Sequence, residues 1–187
     1  MWLDMVKEEL GDNLQINWRS FALEQVNSEH GRDWKAWEQG TDYQSRGLWP
    51  LRGGIAARQQ GSTEHNEYMA KILHAKHVER EDVRTRESIL EIAVSASLDI
   101  DNFTEVLDDT KSLKTIGNDH EYASGLGIFG TPTFVFGNGL STFVKMFTPP
   151  KHEAMDTFKH FMGIASERNY FGEIKRPQPH WPRGAGD

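Results

Sequence analysis

The spacing of apolar residues divides the chain into helical and extended stretches. Residues 1–10, MWLDMVKEEL, place their apolar side chains at helical intervals, and Gly11 follows where a helix would end. Residues 14–21, LQINWRSF, instead alternate mostly apolar side chains with polar ones. That two-residue period predicts a half-buried β-strand soon after the first helix.

A long block of helical periodicity occupies the middle of the chain. Before it, a polar loop contains Trp34 and Trp37, whose spacing predicts one short helical turn. From residue 48 to residue 126 the pattern predicts successive helices, with ends marked by capping residues and glycine. These are a helix over 48–60 closed by Gly61, a second capped by Ser62 or Thr63, a third after Thr85, a short fourth capped by Asp101, and a fifth near 111–124.

The β pattern returns only near the C-terminus. Residues 133–136, TFVF, form a short apolar run, and an Asn-Gly pair at 138–139 separates it from a second run at 140–147. An Asn-Gly pair between two apolar runs is a strong signal for a tight antiparallel hairpin. Pro149 and Pro150 then open a last helix, since proline is tolerated in a first helical turn.

Composition narrows the class of protein. At 187 residues and 21.4 kDa the chain fits one domain with an inserted subdomain. Its net charge of −7 and its lack of clustered Lys and Arg argue against a nucleic-acid partner. No apolar run approaches the roughly 20 residues of a membrane helix, and no signal-peptide pattern opens the chain, so we expect a soluble, cytoplasmic protein. The absence of cysteine excludes disulfides, cysteine metal ligands and a thiol nucleophile within this chain.

Pro132 stands directly before the predicted strand, although proline cannot donate a hydrogen bond to a β-ladder. The surrounding segment, 127-GIFGTPTFVFGNG-139, resembles the cis-proline segment of the DsbA-like branch of thioredoxin-fold oxidoreductases. That branch includes FrnE-type dithiol–disulfide oxidoreductases and 2-hydroxychromene-2-carboxylate isomerases. The order of helix, strand, helical block, hairpin and helix is also similar, so the resemblance extends over most of the chain.

The resemblance implies an α/β, thioredoxin-like (DsbA-like) fold with a helical insertion. It divides the chain into a thioredoxin-like part over 1–47 and 127–172, an inserted helical subdomain over 48–126, and a proline-rich tail over 173–187. It also implies a cis peptide bond between Thr131 and Pro132. Together with Gly130, these two residues would form the substrate-binding loop.

The sequence departs from this family at the family's most characteristic feature. Active members carry Cys-x-x-Cys or Cys-x-x-Ser at the start of the first helix, where the helix dipole lowers the pKa of the thiol. Here the first helix has no capping residue before it, and the chain has no cysteine. We therefore expect the first β-strand to be absent, which would leave sheet edges open to association, as in a homodimer. We also expect no dithiol activity from this sequence.

Three functions stay open at this point. The first is a DsbA-family thiol–disulfide oxidoreductase, of which this chain holds the substrate loop but not the redox cysteines. Its partners would be thiol or disulfide proteins or small thiols, without any cofactor. The second is a glutathione-dependent isomerase or transferase of the kappa or 2-hydroxychromene-2-carboxylate isomerase type. The third is a non-catalytic thioredoxin-fold binding module.

Two other patterns carry less information. His74 and His77, in HAKH, lie three apart with acidic residues nearby, but no complete metal-binding motif surrounds them, and we predict no metal site. Gly125, Gly127 and Gly130 resemble a phosphate-binding loop in composition only. Helix precedes them and strand follows, which is the reverse of a dinucleotide-binding unit. No residue of the chain is predicted to be catalytic.

Overall fold

The computed structural model describes residues 2–31, 33–40 and 43–175, so most of the predicted proline-rich tail, from residue 176 onward, lies outside the described residues. Within these ranges the chain forms eight α-helices and one two-stranded sheet. The helices are α1 (Trp2–Leu10), α2 (Leu23–Val26), α3 (Leu48–Gln60), α4 (Ser62–His74), α5 (Arg86–Ser95), α6 (Ile100–Asp108), α7 (Lys111–Gly125) and α8 (Ala154–Ala165), and the strands are β1 (Thr133–Val135) and β2 (Ser141–Phe143). No helix in the described part is long and apolar enough to cross a membrane.

The predicted block of helices is confirmed as α3 to α7. Thr85 caps α5 by accepting a hydrogen bond from the Ser88 N–H at 3.1 Å, as the sequence predicts. The predicted cap of α6 is wrong, because Asp99 and not Asp101 accepts the hydrogen bond from the Asn102 N–H. Asp101 lies in the first turn instead, where an acidic side chain favours the positive end of the helix dipole.

The chain divides into two compact units. The first consists of the chain up to Trp18 together with the chain from Gly130 onward, and the second of Arg19–Phe129. The second unit therefore begins earlier than the predicted insertion, which started at residue 48. The reason is that residues 19–22 and a 3₁₀ turn over Ala36–Glu38, where the sequence predicts a helical turn, both pack on α7.

The first unit packs around the indole of Trp2. This ring makes edge-to-face contacts with Phe134, Phe158 and Phe161, at centroid distances of 6.5, 6.1 and 5.7 Å. Its Nε1–H donates to the Ala154 carbonyl at 3.0 Å, so the polar end of the buried side chain is satisfied. Helices α1 and α8 thus form one layer, and β1 packs against it through Phe134.

The predicted hairpin is confirmed, although its strands are shorter than the apolar runs. Thr133 lies opposite Phe143, and Val135 lies opposite Ser141, in an antiparallel ladder. Gly139 in the connecting turn has a φ of 86°, a left-handed conformation that glycine adopts without strain. The Asn-Gly pair therefore fixes both the turn and the register of the hairpin.

The β-strand predicted over residues 14–21 is wrong, since the described residues form no strand there. The predicted alternation of exposure does occur: Leu14 and Ile16 are partly buried, whereas Gln15 and Asn17 are exposed. However, the backbone groups of residues 15–17 make no hydrogen bond within the described part of the chain. A two-residue period reports which side chains face the core, but a strand also needs a neighbouring strand to bond.

Helix α3 lies at the centre of the second unit, where it contacts α4, α5, α6 and α7. Tyr68 of α4 and Phe103 of α6 are fully buried, with ring centroids 5.7 Å apart. The Tyr68 hydroxyl donates to the Pro50 carbonyl at 3.3 Å, and burial raises the pKa of Tyr68 above its usual range. The rings of Tyr68 and Phe103 therefore form an apolar part of this unit's core, and the buried Tyr68 hydroxyl is hydrogen-bonded.

Gly117 allows Trp37 to lie directly against α7. Both residues are buried, and a methyl group added at Gly117 would stand only 2.7 Å from Trp37 Cδ1. Nothing larger than hydrogen fits between the helix backbone and the indole. This contact ties the 3₁₀ turn over Ala36–Glu38 to the helix that leads towards the hairpin.

We expect Gly117→Ala to lower the free energy of unfolding by about 1–3 kcal/mol, because the added methyl group displaces the indole. This loss should exceed the gain of about 1 kcal/mol that alanine gives a helix relative to glycine. Urea denaturation followed by circular dichroism measures the change. Gly125→Ala, in the same helix but with nothing within 4 Å of the added carbon, is the matched control. An unchanged midpoint for Gly117→Ala would contradict the tight contact.

Candidate substrate-binding site

The predicted substrate loop consists of Gly130, Thr131 and Pro132, directly before β1. Gly130 is buried, whereas Thr131 and Pro132 are exposed. The peptide bond between Thr131 and Pro132 is cis, the isomer that the family resemblance implies. The loop thus leaves the interior at Gly130 and presents its next two residues to solvent.

Two hydrogen bonds attach this loop to the hairpin. The Thr133 hydroxyl donates to the Gly130 carbonyl at 2.7 Å, and the Val144 N–H donates to the Pro132 carbonyl at 3.0 Å. The first bond closes a tight turn, and the second extends the β1–β2 ladder by one step. Because the two acceptors lie on either side of Thr131, that residue is held in place without using its own polar groups.

Phe143 of β2 covers Gly130. A carbon added at Gly130 would lie 3.3 Å from Phe143 Cε2, a distance at which the ring would have to move. On the other face of the hairpin, Phe134 packs on Phe161 with ring centroids 4.8 Å apart. The loop is therefore supported by one aromatic ring beside it and by the aromatic core behind it.

Thr131 is the open part of the loop, since none of its polar groups hydrogen-bonds to any described residue. The outer edge of β1 continues this open surface. The Phe136 N–H and the Pro132 carbonyl both hydrogen-bond to the second half of the hairpin. Because successive residues of a strand direct their backbone groups to opposite edges, those of Thr133 and Val135 point away from β2. Thr131, Thr133 and Val135 together form a row of unpaired backbone donors and acceptors.

The chain segment that contains the loop is uncharged. Residues 127–144 contain no Asp, Glu, Lys, Arg or His, so the segment offers no group for general acid–base catalysis. It offers hydroxyls, backbone groups and the exposed apolar side chains of Val135 and Phe143. Such a surface can bind an extended chain or a small molecule, but it supplies no reacting group itself.

The histidine pair lies elsewhere, at the C-terminal end of α4. His74 is the last residue of that helix, and His77 lies in the π-helical turn Ala75–Glu79 that follows. His74 Nδ1 is 3.5 Å from Glu79 Oε1, and burial lowers the pKa of His77, which disfavours its charged form. Among the residues that the structure describes, no three potential metal ligands come together.

The glycines before the loop end a helix. Gly127 has a φ of 76°, and its N–H donates to the Ser124 carbonyl at 2.9 Å. The Ile128 N–H donates to the Ala123 carbonyl at 3.1 Å. These two bonds satisfy the last carbonyls of α7, as is usual where a left-handed glycine follows a helix.

Two residues that shape the loop, Thr133 and Phe143, do not follow from the sequence analysis. A signal for Phe143 exists, however, because the Asn-Gly turn fixes the register that places it opposite Thr133. The residue across from the first position of β1 is the one that can cover the glycine at the start of the loop. Thr133 carries a weaker signal, since threonine hydroxyls often bond a backbone carbonyl three or four residues earlier.

Known proteins resemble this chain along almost its whole length. Residues 3–162 match the sequence profile of a family described as the DSBA-like thioredoxin domain. The chain is also 26% identical over 183 residues to Rv2286c, an uncharacterised protein of Mycobacterium tuberculosis (strain ATCC 25618 / H37Rv), in an alignment that covers 95% of this chain and 75% of that protein.

The profile match begins in α1, includes the helical unit and the hairpin, and ends within α8. It therefore contains every element that positions the loop. The family and the thioredoxin-like fold class predicted from the sequence are both confirmed. This chain belongs to the DSBA-like thioredoxin domain family.

Proposed function

We propose that this protein binds thiol or disulfide substrates through Gly130, Thr131 and Pro132, in the thiol–disulfide exchange of the DsbA family. The observation that carries the proposal is Thr131, an exposed residue whose polar groups make no hydrogen bond to any described residue, while both of its neighbours are anchored. An extended substrate can pair with Thr131 and continue along the outer edge of β1, as in strand addition to a sheet edge.

The proposed role is substrate binding and not nucleophilic attack. In thiol–disulfide exchange a thiolate attacks one sulfur of a disulfide, a new S–S bond forms, and the displaced sulfur leaves as a thiolate. The 187 residues contain no cysteine and so contribute none of these sulfur atoms. The attacking thiolate has to come from a small thiol or from polypeptide outside these residues, while the loop aligns the substrate.

The cysteine-free composition favours a second candidate, a glutathione-dependent isomerase or transferase of the kappa type. Glutathione brings its own thiol, so the protein needs to bind and orient it rather than to supply a sulfur. Its peptide groups can pair with Thr131 in the same way as an extended protein substrate. Both candidates therefore use the same loop, and they differ in the source of the thiol.

We expect this sequence to show no insulin-disulfide reduction above the background rate of the added reductant, because it carries no thiol. Turbidity of the released insulin B chain measures the rate. A rate that increases in proportion to the protein concentration would contradict the proposal that this chain binds the substrate but does not supply the attacking thiol.

We expect glutathione disulfide to shift the backbone amide resonances of Thr131, Thr133 and Val135 in ¹⁵N–¹H spectra. Thr131→Arg should weaken this binding by about tenfold or more, equivalent to about 1.4 kcal/mol, because a long charged side chain fills the open position. Ser141→Arg is the matched control, since Ser141 is also exposed but lies on β2.

Each outcome of the titration separates the candidates. Binding of both reduced glutathione and the disulfide supports the glutathione-dependent enzyme, and preference for the disulfide supports the oxidoreductase. Shifts that lie outside the loop, or equal affinities of the Thr131→Arg protein and the wild type, would show that the loop is not part of the binding site. Binding of extended peptides regardless of their sulfur content would favour the non-catalytic module.

We also propose that the open edge of β1 allows two copies of the chain to form a homodimer. Thr133 and Val135 turn their backbone groups away from β2, and Val135 is 45% exposed. No charged side chain lies in the hairpin, although charges are a common means of blocking such edges. In an antiparallel pairing, Thr133 of one copy would face Val135 of the other.

We expect Val135→Lys to shift the protein towards the monomer, because a charge on each copy opposes edge-to-edge pairing. Sedimentation equilibrium over a range of protein concentrations measures the association constant. Val94→Lys, at a residue with 61% exposure on α5, adds the same charge away from the hairpin and is the control. A wild-type protein that stays monomeric at all concentrations would rule out this association.

A further inference from the structure

The first residues of the second unit are held in an extended form by side chains of α7 rather than by a strand. The Ser20 N–H donates to Asp119 Oδ2 at 3.0 Å, and the Ala22 N–H donates to His120 Nδ1 at 3.2 Å. Arg19 Nη1 adds a bond to Asp119 Oδ1 at 2.8 Å. Because alternate N–H groups of an extended chain point to the same edge, the two side chains take the place of carbonyls on a neighbouring strand.

The side chain of His120 lies in a buried site formed by aromatic rings. Its ring stacks on Phe21 at 4.6 Å between centroids, with 25° between planes, and the ring of Trp37, in the 3₁₀ turn over Ala36–Glu38, lies 5.1 Å away. Only 5% of His120 is exposed. Since Nδ1 accepts the Ala22 N–H, the bound ring is the neutral form with its proton on Nε2.

Charged side chains lie near His120 on the extended segment, on the residue before the 3₁₀ turn and on α7. Lys35 precedes the 3₁₀ turn and pairs with Glu121 of α7 at 3.7 Å. Arg19 of the extended segment forms a second ion pair, with Asp119 of α7. Burial, followed by the positive charge of Lys35, lowers the pKa of His120, and Glu121 offsets part of this effect. The site therefore favours the uncharged ring that the hydrogen bond requires.

We propose that His120 acts as a pH-sensitive latch on residues 19–22. A proton that binds Nδ1 removes the acceptor that the described residues provide for the Ala22 N–H and leaves two donors facing each other. It also places a positive charge in a buried site near Lys35. Protonation thus favours release of the extended segment from α7, and the released ring is solvated.

The latch lies where the chain passes from the first compact unit to the second, between Trp18 and Arg19. Its stabilising effect is complete above the ordinary histidine pKa of 6.5. It is lost as the pH falls from that value towards the lower pKa of the folded state, because the open form binds the proton more tightly. Mild acidification should therefore release residues 19–22 from α7 before the helical core unfolds.

A single cysteine reports the opening, because the chain has no cysteine of its own. Ala22→Cys places a thiol at a residue that is 2% exposed, and Ser124→Cys, at an exposed residue of α7, corrects for the pH dependence of the reagent. We expect the ratio of the two reaction rates with dithiodipyridine to rise by up to about tenfold between pH 7.5 and 5.5. This upper limit is for an open state in which the histidine has its ordinary pKa and a closed state that does not bind the proton in this range.

Two variants and one direct measurement test the cause. In a His120→Gln background, where the side-chain amide oxygen still accepts but does not titrate, the ratio should not change with pH. His65→Gln, which removes another buried histidine with a lowered pKa, should leave the pH dependence of the ratio intact. In the unlabelled protein, the hydrogen-exchange protection of the Ala22 amide should fall by a similar factor while that of α3 stays constant. A constant ratio in the wild type, or equal loss of protection in α3, would overturn the latch.

Discussion

Extended backbone needs hydrogen-bond partners along its edges, and the described residues provide two different kinds of partner. In the hairpin the partner is a strand, as β1 pairs with β2. In residues 19–22 the partner is a helix, because Asp119 and His120 accept the backbone N–H groups. Along residues 15–17 and the outer edge of β1, the described residues provide none. Those open edges are where another molecule can bind with the least rearrangement.

The same requirement applies to the loop of Gly130, Thr131 and Pro132, which is the proposed substrate-binding site. The bonds to the Gly130 and Pro132 carbonyls fix the loop from both sides, and the polar groups of Thr131 stay available between them. Backbone groups bind extended partners with little dependence on side-chain identity, so specificity has to come from what lies around them. Residues 127–144 carry no charged side chain, and the ring of Phe143 lies beside Gly130.

Local signals in the sequence locate most elements of this fold. The cap at Thr85 and the Asn-Gly turn each depend on residues close together in the chain, so the pattern contains all that is needed. The alternation matches the burial of residues 14–17, but Phe21, on the face predicted to be polar, is buried, and residues 14–21 form no strand because pairing depends on a second segment. The hydrogen bonds that Ser20 and Ala22 donate to α7 join residues that are 99 and 98 positions apart in the chain, so no short-range sequence pattern predicts them.

The loop of Gly130, Thr131 and Pro132 also has contacts that the sequence alone does not predict. Family resemblance identifies Gly130, Thr131 and Pro132, since a short motif is enough to locate them. The ring that covers Gly130 depends instead on the register of the hairpin, and the Trp37 contact depends on a glycine in a helix far along the chain. Packing partners of this kind follow from the three-dimensional arrangement and not from motif or periodicity.

Gly130 and Phe143 occupy one shared volume, which links their evolution. Because a carbon added at position 130 would lie 3.3 Å from the Phe143 ring, a larger residue at position 130 requires that ring to shift. We expect a relative with a larger residue at the first position to carry a smaller one at the second. Such an exchange would move bulk from the strand to the loop, beside the exposed Thr131. The pair of residues at these two positions should therefore sort relatives by the shape of the surface around Thr131.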